Sequence, residues 1–327
     1  MVGLLLIANI VNLGADLAAM GAAVGLLIGG PLWLYTLLFG AFCVIVEAWL
    51  SYERYASVLK WATLSLFAYV AVVIVAHVPW GEALTSLVVP RIEYTGAYAT
   101  AVVAILGTTI SPYLFFWQVS LEIEEQKRHK AEPLCITPKD AGPELKRIRI
   151  DTLTGMAFSS IVSLAIVLAT AATLYANGVR DIETSAQAAE ALRPIAGNFT
   201  FALFALGIIG TGLLAVPVLA GSAAYAVTEM FGIASSLDAK PRKARLFYGT
   251  IAVTTMLGVS LQYVGIDPAR SLYWAAVVNG VLAVMMMLIV RNPRAMGRLT
   301  LGPRATITGW FATLVMAGAT IIFFATL

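Results

Sequence analysis

About a third of the way along the chain, Gly107-Thr108-Thr109-Ile110-Ser111-Pro112-Tyr113 interrupts an apolar stretch with a set of oxygen ligands. Pro112 has no N–H, so the helical bond to the carbonyl of Thr108, four residues back, cannot form and that carbonyl is left free. Ser111 precedes a proline and is driven away from the α region, with its hydroxyl beside the freed carbonyl. The half-helix that ends at Thr108 aims its last carbonyls, and the negative end of its dipole, at the same place. Carbonyl and hydroxyl oxygens so grouped ligate hard cations. The competing account is a proline kink with no ligand.

A second group of polar residues lies on the first apolar stretch. Asp16 has Asn12 four residues before it and Asn9 three before that, which places all three on one helical stripe. A carboxylate at membrane depth marks an ion or proton path unless the stripe only bonds neighbouring helices. The asparagines are read as such bonds, and Asp16 as part of a pathway. Other chemistry is poorly supported. The only histidines are His77 and His129, and no phosphate loop, paired-cysteine zinc spacing or His-Glu-x-x-His is present. Cys43 and Cys135 are badly placed for a disulfide and have no metal spacing. The chain is not expected to be an enzyme, to carry a cofactor or to bind nucleic acid.

The elements that must position these residues follow from composition. Hydrophobic residues make up 60% of the chain and charged ones 12%, against about 25% charged in soluble domains. This is the composition of an integral membrane protein. Nine stretches are each long enough to cross a hydrocarbon core of about 30 Å as a helix. They run over about 3–28, 31–50, 57–77, 99–121, 152–176, 200–227, 246–264, 270–290 and 304–326. The irregular backbone of 107–113 therefore falls at mid-membrane, where it survives only if protein or water surrounds it. Alternating loops put 17 of the 21 Lys and Arg on one side and Arg91, Arg180, Arg193 and Arg270 on the other. That asymmetry predicts a cytoplasmic N-terminus in a multi-pass protein of the cell (inner) membrane.

No polar segment is long enough to build its own core, so 1–327 is read as one transmembrane domain. The longest, 122–150, with Glu122, Glu124 and Glu125 ahead of Lys127, Arg128 and Lys130, is expected to be a solvated face. Asp181–Leu192 has helical spacing and is read as a connecting helix. Gly and Ala in the spans mark close helix packing, and Pro217 predicts a kink. Asn279, Thr250, Thr254 and Thr255 are expected to act as interhelical glue, while Glu47, Lys60 and His77, near span ends, should reach the interface.

Asn12-Leu13-Gly14-Ala15-Asp16-Leu17-Ala18, Gly30-Pro31-Leu32-Trp33 and the break at 107–113 resemble the third, fourth and sixth helices of the Nramp divalent-metal transporters. Ala189-Glu190-Ala191-Leu192 leading through Leu203-Phe204-Ala205-Leu206-Gly207 to Glu229 is similar to the family's eighth helix. The resemblance covers essentially the whole chain and is strongest to a bacterial Nramp-related branch. It implies an all-α LeuT-like fold of two inverted five-helix repeats plus one helix. Family helices one and two, with the Asp-Pro-Gly-Asn metal ligands, would be missing, so the chain reads as N-terminally incomplete.

The resemblance also assigns roles. Thr108 matches the family's carbonyl ligand, Ser111 its methionine ligand, Pro112 its proline and Tyr113 its histidine. Ala19 stands where an acidic residue is expected. Replacing a thioether by a hydroxyl favours Mg²⁺ or Mn²⁺ over softer ions such as Fe²⁺. The expectation is a transporter of a divalent cation working by alternating access, with Thr108 and Ser111 as metal ligands. Asp16, Asn12, Pro112 and Tyr113 would line or gate the path, protons would be a possible partner, and lipid would surround it. The alternatives are an ion-coupled amino-acid or small-solute permease of the same fold, or an inactive truncated remnant.

Overall fold

The computed structural model describes residues 2–49, 57, 63–75, 78–89, 95–96, 98, 101–102, 105–106, 112–128, 141–179, 182, 184–233, 236–237, 239–264, 268–297 and 299–326. Among them the chain is helical throughout, without strands. The helices are α1 (Val2–Ile28), α2 (Leu32–Trp49), α3 (Phe67–Val75), α4 (Trp80–Val88), α5 (Pro112–Arg128) and α6 (Ala141–Thr173). They continue with α7 (Ser185–Met230), α8 (Arg245–Leu261), α9 (Pro268–Val290), the short α10 (Pro293–Met296) and α11 (Pro303–Thr326). Four helices among the described residues are long and apolar enough to cross a membrane: Val2–Ile28, Leu32–Trp49, Gly142–Asn177 and Gly197–Met230. Thr63–Val75 and Trp80–Val88 add a fifth if that bent pair is one span.

α1 is the central helix. Leu5, Leu13, Leu17 and Met20 are fully buried against α7, α8 and α9. α1 and α8 cross at Gly14 and Gly258, where a Cβ on Gly14 would stand 2.7 Å from the Gly258 carbonyl oxygen. Only glycine lets the two backbones come this close. Beside this crossing, Leu13, Leu17, Met20, Val216, Leu219, Phe247 and Ile251 form one apolar cluster. A second cluster gathers Tyr69, Val72, Val73, Ala165, Ala189, Leu192, Phe204 and Ala205 from α3, α6 and α7.

Several helices depart from the spans expected from hydropathy. The stretch 57–77 is described as a 3₁₀ turn, Thr63–Leu66, followed by α3, and α4 then turns away at 113°. Pro79 makes that turn: it lacks the N–H a continuing helix needs, while its carbonyl accepts from Ala83 N–H at 3.0 Å to start α4. α5 continues seven residues past 121 and α6 starts eleven before 152, because Glu, Gln, Lys and Arg extend a helix as well as apolar residues do. Those two extensions meet where Arg147 pairs with Glu122 and with Glu144, the latter at 2.6 Å. Partial burial raises the Glu122 carboxyl above the ordinary carboxylate range, and the Arg147 guanidinium opposes that shift.

α7 begins at a capping box, with Gln187 N–H donating to the Thr184 hydroxyl and Thr184 N–H to the Gln187 side chain. Its non-helical residue is Gly197 (φ 83°, ψ 170°), and not Pro217. Ala188, Ala189 and Leu192 are buried, so the segment before Gly197 packs on the helix bundle as a connecting helix.

Candidate functional site

The break is only partly within the described residues. Pro112 and Tyr113 open α5, whereas Gly107, Thr108, Thr109, Ile110 and Ser111 lie outside them, as do Lys60, His77 and Cys135. Before the break, Val102 and Leu106 pack against Val277, Met316 and Ala319, which seats that half beside α9 and α11. After the break, α5 runs along α7, and Trp117 fits over Gly221, where a side chain would collide with the indole.

Asp16 sits half-buried on α1, two residues past the Gly14–Gly258 crossing, with Asn12 also half-buried. It lies within electrostatic reach of Tyr69 on α3, whose hydroxyl is 3.5 Å from the Thr211 hydroxyl on α7. The Tyr69 ring stands on Gly207, where a Cβ would be 2.8 Å from the ring, and meets Phe204 edge-on at 5.4 Å. Asp16, Tyr69 and Thr211 thus form a polar cluster between α1, α3 and α7. The tyrosine and threonine are 142 residues apart, and only the glycine beneath the ring gave a local sign of their meeting. Asn9 is buried, and its side-chain N–H donates to the Leu219 carbonyl at 3.0 Å, the role of interhelical glue expected for it.

Two carboxylates contradict the sequence reading. Glu47 does not reach the interface: it is 2% exposed, and neither carboxyl oxygen has a hydrogen-bond partner among the described residues. It continues the buried stripe Thr36, Gly40, Cys43 on α2, a helical spacing of four, three and four that decides its burial more strongly than its charge does. Glu124 is likewise not solvated. It is 7% exposed, on the stripe of Trp117 and Ser120, and its Oε1 accepts from the Tyr225 hydroxyl at 2.6 Å and from Leu237 N–H at 3.1 Å. The expected glue threonines differ too, since Thr250 and Thr254 donate within α8 itself, to the carbonyls of Leu246 and Thr250, both at 2.8 Å.

Among the described residues no three His, Cys, Asp or Glu side chains converge as metal ligands. The described groups beside Asp16 are the Tyr69 hydroxyl and, through it, the Thr211 hydroxyl.

Long apolar helices, glycine crossings and carboxylates held inside them define a multi-pass membrane protein. A family profile described as natural resistance-associated macrophage protein-like matches residues 1–326, and the chain belongs to this family, Nramp. It is similar to a divalent metal cation transporter MntH of Caldanaerobacter subterraneus subsp. tengcongensis, 28% identical over 316 residues, covering 90% of this chain and 70% of that protein. MntH proteins of Clostridium acetobutylicum and Deinococcus radiodurans are 24% and 25% identical, each over 76% of this chain. The chain spans 54% of the length of each of these two.

Proposed function

We propose that this chain is the membrane domain of a divalent metal cation transporter that works by alternating access and prefers Mg²⁺ or Mn²⁺ to Fe²⁺. The observation that carries the reading is family membership over 1–326 combined with a serine at the ligand position preceding Pro112. The printed activity of the three relatives, divalent metal cation transport, supports the substrate class. In the proposed path Thr108 supplies a carbonyl and Ser111 a hydroxyl or water-mediated contact, while Pro112 keeps the helix open and Tyr113 borders the opening. Asp16, with Asn12 behind it, sets the field of the path or carries a proton, and Tyr69 and Thr211 hold the protein around it. The fold is taken to be LeuT-like within one domain, 1–327, in the inner membrane, with the N-terminus on the basic, cytoplasmic side.

The test is uptake into proteoliposomes of Mg²⁺, Mn²⁺, Fe²⁺ and Cd²⁺ by the full-length protein and by Ser111→Met. Divalent flux above empty vesicles is expected, with Mg²⁺ and Mn²⁺ ahead of Fe²⁺. Ser111→Met should raise Mn²⁺ and Cd²⁺ uptake relative to Mg²⁺, because a thioether suits softer ions. An unchanged ratio would overturn the hard-ligand argument, and uptake competed by amino acids but not by metals would overturn the substrate class.

A further inference from the structure

We propose that Glu124 is a positioning residue of the transport cycle: it latches α5 to α7 and to the α7–α8 connection along a seam that parts and re-forms as the path opens to the basic side. The proposal rests on the transport reading above.

The helices are fused in some places and only joined in others. α1, α7 and α8 are fused. Gly14 and Gly258 meet backbone to backbone, and Asn9 ties α1 to the Leu219 carbonyl of α7. Such a contact cannot slide without one carbonyl passing through another chain. α5 is joined differently. It lies mainly on α7, and towards its far end the contacts become polar: Ser120 donates to Glu229 at 3.1 Å, and Glu124 accepts from Tyr225 and from Leu237. Tyr248 in turn donates to the Leu237 carbonyl at 3.1 Å, which pins the connection to α8. Edge-on contacts of Tyr225 with Trp117 at 6.1 Å and with Phe247 at 4.8 Å hold the phenol in line.

This is a poor way to fuse two helices and a good way to latch them. An apolar pair of similar volume would hold α5 to α7 as firmly as a buried carboxylate does. A phenol, an amide and a carboxylate, however, all regain hydrogen bonds to water when they separate, so their net contribution to the closed seam is small. An open groove of about 180 Å³ borders the seam, lined by Phe116, Val119, Ser120, Glu229, Met286 and Ile289. Pro112 and Glu124 are the two ends of a lever about 18 Å long, at 1.5 Å per residue. Motion at the latch is thereby motion of the helix that starts at the break.

The experiment has two arms in full-length protein reconstituted in vesicles, with Cys43→Ala and Cys135→Ser as background. In the first, Ser120→Cys alone is labelled by a membrane-impermeant thiol reagent from the basic side, with no metal present. Tyr225→Phe or Glu124→Leu should speed labelling at least fivefold. Glu124→Gln, whose amide oxygen can still accept both bonds, should stay within twofold. Rates within twofold for all variants would overturn the latch. Tyr225→Phe removes one hydroxyl, and its melting temperature in detergent checks that it folds.

In the second arm Ser120→Cys and Glu229→Cys are bridged by a short reducible bis-methanethiosulfonate crosslinker, which spans the gap the glutamate side chain fills, and are then reduced. Closure should cut Mn²⁺ uptake at least tenfold, and reduction should restore it. Uptake indifferent to closure would show that α5 and α7 move together and overturn the proposal. Absence of Mn²⁺ flux in the protein carrying native Ser120 and Glu229 would instead overturn the transport reading, while the labelling arm still decides whether the seam opens.

Discussion

Replacing Gly14 by alanine tests whether the α1–α8 crossing sets the position of Asp16. The new Cβ would stand 2.7 Å from the Gly258 carbonyl oxygen, 3.3 Å from its carbon and 3.1 Å from Leu261 Cδ1. The leucine end can turn aside, but the carbonyl cannot, so the helices must separate. Overpacking of this kind costs about 1–3 kcal/mol. Alanine recovers at most about 1 kcal/mol through helix propensity. The net expectation is a loss of about 1–2 kcal/mol. Gly249→Ala on α8 is the control, because nothing lies within 4 Å of a Cβ there. It should gain up to about 1 kcal/mol. Thermal unfolding in detergent, followed by fluorescence-detected size exclusion, should separate the two variants by a few degrees, at no more than about 2–4 °C per kcal/mol for a chain of this length. Asp16 is two residues from the substitution, so Mn²⁺ uptake should fall in Gly14→Ala and not in Gly249→Ala. If Gly14→Ala melts at or above the control, the crossing does not hold α1 in place and the argument fails.

Three further substitutions probe the interior. Glu47→Leu removes a buried carboxyl without a hydrogen-bond partner among the described residues and should raise stability by about 1–3 kcal/mol; a lower melting temperature would mean that the carboxyl has a ligand. Asn9→Leu deletes the bond to the Leu219 carbonyl and should cost about 0.6–1.7 kcal/mol, the range for interhelical bonds in membranes; unchanged melting would refute that. Gly197→Ala forces an L side chain to φ 83°, ψ 170°, which should cost about 1–3 kcal/mol. Faster amide hydrogen exchange over 185–200 would register the strain, and unchanged exchange would refute it.

Hydropathy made the apolar helices legible in the sequence, and α1, α2, α8, α9 and α11 start within two residues of their expected positions. It failed where helix and membrane part company. α5 and α6 run on through charged residues because backbone propensity, not lipid, sets their ends. The start of α5 at Pro112 was legible because proline removes a specific N–H, while residues 107–111 of the expected break lie outside the described residues. The polar neighbours of Asp16 were not legible, since Tyr69, and Thr211 bonded to it, come from helices far away in the chain. Glu47 and Glu124 were misread for a third reason. Charge was weighed by itself, although both fall on the buried stripes of their helices: Thr36, Gly40, Cys43, Glu47 and Trp117, Ser120, Glu124.

α6 has 33 residues, which at 1.5 Å each is a rod of about 50 Å. A hydrocarbon core is about 30 Å thick, so some 20 Å of the rod must stand clear of it or tilt within it. The protruding end carries Lys146, Arg147 and Arg149, with Arg147 bound back to Glu122 of α5. Bilayer thickness therefore sets how much of this post is bare or how far the rod tilts.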